Sequence, residues 1–89
     1  MQQKDIEITN KLGLHARAAA KLVKLASGFD CEIDIRKDSQ QVNAKSIMGV
    51  MMLAASRGNV VTIRTDGNEE AQAMDAVENL FIDKFGEPE

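Results

Sequence analysis

Cys31-Glu32-Ile33-Asp34-Ile35-Arg36-Lys37 alternates apolar residues with charged ones at every second position, the period of a strand with one face buried and the other in water. Cys31, Ile33 and Ile35 point inward in this reading. Upstream, Ile6-Glu7-Ile8-Thr9 repeats the alternation with Ile6 and Ile8 on the core side. Downstream, Asp38-Ser39 reads as a turn into a short polar edge strand from Gln40 to Ala44, in which Val42 and Ala44 share a face. Val60 to Thr65 supplies a fourth strand with Val61 and Ile63 inward. Between these strands the period changes to that of a helix. From Ala16 to about Ser27 the stripe is Ala19, Leu22, Val23 and Ala26, widened by Leu25, with Gly28 as the stop and Phe29 folding back. A short helix runs to Leu53 from Ser46, whose hydroxyl is placed to cap it. The last helix starts from an Asn68 cap with Glu69 and Glu70 in its first turn, the charge sign that end prefers. It buries Ala73, Met74, Val77, Leu80 and Phe81, and Gly86-Glu87-Pro88 closes it. The order β-α-β-β-α-β-α, with alternation this clear, predicts an α+β fold. Its three helices pack on one face of a four-stranded antiparallel sheet, an open-faced two-layer sandwich in a single domain over residues 1–89.

Composition narrows the function. Aromatic residues make up 3% of the 89, with no Trp or Tyr, so the core must be built mainly from Ile, Val, Leu, Met and Ala. The rings on which bases stack are missing. The net charge of −3 also argues against a nucleic-acid partner, since phosphate backbones reward clustered positive charge. The lone Cys31 on a strand reads as a small buried hydrophobe. No metal-ligand spacing or cofactor motif is present. No apolar run approaches membrane-spanning length, and Met1 to Asp5 leads into a strand pattern with no apolar signal region, so a cytoplasmic protein is expected.

The one histidine stands in Gly13-Leu14-His15-Ala16-Arg17, at the mouth of the first helix. Gly13 permits the turn that delivers Leu14 and His15 to the helix entrance. A helix N-terminus presents unpaired N–H groups and a partial positive charge, which stabilise an anion beside it by about 0.3–1 kcal/mol. A neutral imidazole is a nucleophile. Arg17 adds a permanently charged fork suited to phosphate oxygens, and Lys11, Lys21 and Lys24 gather near it in sequence. Together they describe a place where a phosphoryl group could be accepted, held and passed on. In the second helix, burial of Val50 and Leu53 leaves Ile47, Met48 and Met51 partly exposed, as in an adaptable docking surface. A Met stripe of this kind equally serves as core.

Asn10-Lys11-Leu12-Gly13-Leu14-His15-Ala16-Arg17 followed by a helix, and Lys45-Ser46-Ile47-Met48-Gly49-Val50-Met51 at the second, resemble the histidine-containing phosphocarrier (HPr) family of the bacterial phosphotransferase system. The resemblance covers essentially the whole chain. It implies a sheet order of 1-4-2-3 and a phosphoryl carrier, with no cofactor, that is a substrate of other enzymes and not an enzyme itself. It implies His15 as acceptor through Nδ1, Arg17 as the phosphate-side cation, and the N–H groups of Ala16 and Arg17 as the phosphate-binding backbone. The implied partners are Enzyme I, charged by phosphoenolpyruvate, and EIIA-type acceptors, met by a monomer through Ala20, Lys24, Ile47, Met48 and Met51. Ser46 matches the serine that an HPr kinase/phosphorylase modifies in many bacteria. Such a carrier serves sugar uptake or a nitrogen-related branch. The commonest family pattern has proline straight after the arginine. This chain has Ala18, which forgoes proline's fixed φ but favours the helix.

Three other readings fit a small α/β sandwich. A regulatory paralogue would act mainly by protein–protein contact and would not need the His15–Arg17 pair. A small phosphatase would need a second catalytic group near the anion, and none is evident beside His15 in the sequence. A ferredoxin-like ligand-binding module would differ in strand order.

Overall fold

The computed structural model describes residues 1–89. Four strands, β1 (Gln2–Glu7), β2 (Glu32–Lys37), β3 (Gln40–Asn43) and β4 (Val60–Asp66), form one antiparallel sheet in the order β1-β4-β2-β3. Three helices, α1 (Ala16–Ser27), α2 (Ile47–Met52) and α3 (Glu70–Ile82), complete the element order read from the sequence. β1 lies earlier than expected, because Gln2 to Glu7 pair in register with Thr65 to Val60. Ile8 continues past the strand, its N–H bonding the Asn59 carbonyl at 2.9 Å, and both Ile6 and Ile8 are buried as expected.

The pleat decides which face is covered. Ile6 lies opposite Val61, and Ile35 opposite Ile63 and Val42, so branched side chains from neighbouring strands stack on one face. Leu22, Ala26, Val50, Met74, Val77 and Phe81 cover them from the helices in one core cluster. On the open face Arg64 sits across from its register partner Asp34, with Glu32 and Asp66 both 3.6 Å away. Thr65 is the polar residue on the buried face, and its hydroxyl donates to the Glu70 carbonyl at 2.9 Å.

Several boundaries differ from expectation for local reasons. Glu69, not Asn68, is the N-cap of α3. The Asn68 amide is drawn to Asp30 at 3.1 Å, while the Glu69 carboxylate accepts from the Asp30 N–H at 2.6 Å. Gly28 does end α1, but with φ −82°, so any residue could hold that conformation. Gly13 is the turn that requires glycine: φ is +65°, and a Cβ there would sit 2.5 Å from the Ala55 carbonyl oxygen. That close approach lets the Leu14 N–H bond the same carbonyl at 2.9 Å and fixes the entrance to α1. Ala18 is completely buried, a packing position that the helical stripe did not include.

Candidate functional site

His15 is the N-cap residue of α1, with extended backbone (φ −72°, ψ 178°), and its carbonyl accepts the first helical N–H, from Ala19 at 2.8 Å. The N–H groups of Ala16 and Arg17 lie in the first turn, before that bond, where a helix has no partners for them. His15 does not fill the gap, because its side chain makes no capping hydrogen bond. The imidazole instead meets the carboxylate of Glu87 through Nε2.

Glu87 reaches the histidine by an unusual route. After α3, Lys84, Phe85 and Gly86 all take positive φ, at 55°, 57° and 76°. For the two non-glycine residues a left-handed conformation costs roughly 1–2 kcal/mol each. Burial of Phe85 against Phe81, ring centroids 4.9 Å apart in an edge-to-face pair, offsets that strain. The Lys21 ammonium holds the Phe85 carbonyl at 2.6 Å. Lys21 is therefore a strut for the tail rather than part of the expected basic cluster at His15. Beyond the turn, Glu87 places one carboxylate oxygen on His15 and the other 3.0 Å from the side-chain amide of Asn10. Asn10 is wholly buried and also donates to the Gly13 carbonyl at 2.8 Å. These bonds from Asn10, then from His15, hold the Glu87 carboxyl below the ordinary carboxylate value. The sequence shows no obvious second catalytic group beside His15, whereas the fold brings the Glu87 carboxylate to it. Chain periodicity gave no signal for it, since the contact spans 72 residues and depends on the left-handed turn.

A cavity of about 610 Å³ opens here, lined by Lys11, Leu12, His15, Ala16, Arg17 and the tail from Glu87. Arg17 is exposed and forms no ion pair within the chain, whereas Lys11 lies 3.5 Å from Glu89. The site therefore combines a half-buried imidazole, helix N–H groups and an uncommitted guanidinium, a constellation suited to a tetrahedral oxyanion.

The remaining sequence-picked residues lie outside the cavity wall. Ala20 and Lys24 continue from Ala16 along one exposed row of α1 at i, i+4 spacing. On α2, Val50 and Leu53 are buried as expected, and Ile47, Met48 and Met51 are exposed, joined by Met52 at 66%. Ser46 caps α2, its Oγ accepting from the Gly49 N–H at 3.2 Å. No group of acidic, His or Cys side chains is arranged to hold a metal. No helix is long and apolar enough to cross a membrane.

Fold and site define a small α+β domain with an anion-receptive helix start capped by one histidine, and comparison with known proteins gives its family. A family model described as "PTS HPr component phosphorylation site" matches residues 2–83. The chain is 55% identical to a phosphocarrier protein HPr of Cupriavidus necator, over the full length of both. It is 49% identical to an HPr-like protein Crh of Halalkalibacterium halodurans, over 94% of this chain and 99% of that one. Among solved structures, an HPr from Thermoanaerobacter tengcongensis superposes with a TM-score of 0.97 at 49% identity, covering all of both chains. Another from that organism, an HPr dimer, gives 0.79 at 50% identity over 98% of this chain and all of that one. The chain belongs to the HPr family of phosphocarrier proteins of the phosphotransferase system.

Proposed function

We propose that His15 is the residue that carries the phosphoryl group, taking it from phosphorylated Enzyme I and delivering it to an EIIA-type acceptor. The observation that carries this reading is the open start of α1, where His15 caps the helix with its backbone but leaves the N–H groups of Ala16 and Arg17 unanswered by its side chain. Attack by the imidazole forms a nitrogen–phosphorus bond and places the new phosphoryl oxygens at that helix end, within reach of Arg17. A helix end and one arginine form a deliberately weak clamp. Over-stabilising the phosphoryl group would lower its transfer potential, because only interactions stronger in the transition state speed the step.

Partners read this site together with the exposed row Ala16, Ala20, Lys24 and the apolar patch of Ile47, Met48 and Met51, a cationic and apolar surface for acidic, apolar partner faces. Ser46 is the control point on that patch. Phosphorylation by an HPr kinase/phosphorylase would add a dianion beside Ile47, Met48 and Met51 and weaken Enzyme I docking by charge and desolvation, without unfolding α2. A Ser46→Asp protein with unchanged Enzyme I kinetics counts against this control. The carrier works in the cytoplasm as a monomer, meeting one partner at a time.

A regulatory paralogue that acts by contact alone is the second reading, favoured by the likeness to the HPr-like protein Crh. Retention of both His15 and Arg17 speaks for the carrier. Intact-protein mass spectrometry after incubation with Enzyme I and phosphoenolpyruvate separates the two. One acid-labile phosphoryl group in the wild type, absent from His15→Ala, supports the carrier. No label with an active Enzyme I supports the paralogue.

A further inference from the structure

We propose that Glu87 is a positioning residue for phosphoryl transfer, holding the proton of His15 on Nε2 so that Nδ1 presents its lone pair to phosphorus. The inference rests on the carrier reading above and assigns a role to a residue outside the span 2–83 that the family model matches.

A carboxylate can only accept hydrogen bonds, so the ring nitrogen facing Glu87 must be the donor. A neutral imidazole has one N–H, which leaves the lone pair on Nδ1. Nδ1 is not used to cap α1. Glu87 is itself held in place: the buried Asn10 amide bonds its second oxygen at 3.0 Å, and two residues upstream Phe85 is buried in the core with its carbonyl gripped by Lys21 at 2.6 Å. A tail carried through two strained residues to one histidine is a device for orientation.

The chemistry uses the pair in both directions. When Nδ1 attacks, its lone pair forms the nitrogen–phosphorus bond, and the bond from phosphorus to the donor breaks with its electrons staying on the donor. The ring keeps its Nε2 proton and gains a positive charge, which the Glu87 carboxylate balances. When the phosphoryl group leaves for an acceptor nucleophile, the nitrogen–phosphorus electrons return to Nδ1, and the leaving group is a neutral imidazole. Without the proton on Nε2 it would be an imidazolate, a far poorer leaving group.

The test compares the full chain with Glu87→Gln, which keeps the size of the side chain but can donate to a ring nitrogen as well as accept from one. Nitrogen-15 NMR of the labelled imidazole in neutral protein is expected to show a single Nε2–H tautomer in the wild type and a mixture in the variant. Rapid-quench phosphorylation by Enzyme I and phosphoenolpyruvate is expected to slow roughly ten-fold or more. A Glu87→Gln protein with the wild-type tautomer, or with the wild-type rate, overturns the proposal. The tautomer measurement needs no phosphoryl donor. A wild type that takes no label therefore defeats the carrier reading, while the ring spectrum still decides the role of Glu87.

Discussion

Two helices in this molecule begin in the same way and end up with opposite uses. His15 and Ser46 are both N-caps in extended backbone, at φ −72°, ψ 178° and φ −112°, ψ 114°. Ser46 turns its oxygen into its helix and accepts from the Gly49 N–H at 3.2 Å, so that end is closed and its contribution is stability. His15 gives its Nε2 to Glu87 and makes no capping bond, so the first turn of α1 is left for something outside the chain. Two arginines, Arg17 at the start of α1 and Arg64 on the open face of the sheet, repeat the contrast. Arg64 sits among Asp34, Glu32 and Asp66, which raise its pKa further above the ordinary value, whereas Arg17 has no carboxylate partner. An uncapped helix start beside an unpaired arginine is polar capacity held for a ligand.

Substitutions can break this contrast one member at a time. The largest effect is expected from His15→Ala, which removes phosphoryl acceptance altogether in a mass-spectrometric assay. It changes unfolding free energy by no more than about 1 kcal/mol, because the side chain does not cap α1. Gly13→Ala follows. Its Cβ would lie 2.5 Å from the Ala55 carbonyl oxygen and 2.6 Å from the Ser56 Cα at φ +65°, and a loss of about 2–4 kcal/mol is expected in urea unfolding. Arg17→Ala should slow phosphoryl acceptance by roughly 10- to 100-fold, the value of a charge-assisted hydrogen bond. Its melting temperature should stay that of the wild type, since no internal ion pair is lost.

Ser46→Ala should do the reverse, lowering stability by about 1 kcal/mol with acceptance from Enzyme I unchanged. Equal effects of these two substitutions on stability would erase the distinction between the open and the closed helix end. The smallest effect concerns pH. The Glu87 carboxyl is held below its ordinary value of 4.5, by Asn10 and then His15. Its stabilisation is therefore complete above that pH and is lost as pH falls through the lower, folded-state value. Stepwise urea unfolding on the acid side should find wild type losing stability more steeply than Glu87→Gln.

Much of this was legible in the chain because period and burial agree locally. The alternation at residues 31–37 returned β2 from Glu32 with Ile33 and Ile35 buried, while Cys31 lies just before the strand and is half-buried. The spacing at 47–53 returned Val50 and Leu53 inward with the Met residues outward. His15 at a helix mouth was readable from Gly13 and the stripe that follows. What was not legible depends on contacts between distant segments. Asn68 has the chemistry of a cap, but Asp30, remote in sequence, draws it off. Lys21 looks like a member of a basic cluster until the tail brings it the Phe85 carbonyl. Glu87 reads as a residue of an acidic terminus, because nothing in Lys84 or Phe85 announces the positive φ that aims it at His15. The half of the site built from adjacent residues was readable, and the half built by tertiary packing was not.

The central claim is that the open start of α1 receives the phosphoryl group. Nitrogen-15 NMR of the whole protein, recorded before and after phosphorylation by Enzyme I and phosphoenolpyruvate, tests it most directly. The account predicts phosphorus bonded to Nδ1 of His15, with the largest amide shifts at Ala16 and Arg17 and none of that size at Gly49. Phosphorus on Nε2, or a phosphorylated protein whose Ala16 and Arg17 amides do not move, would contradict it.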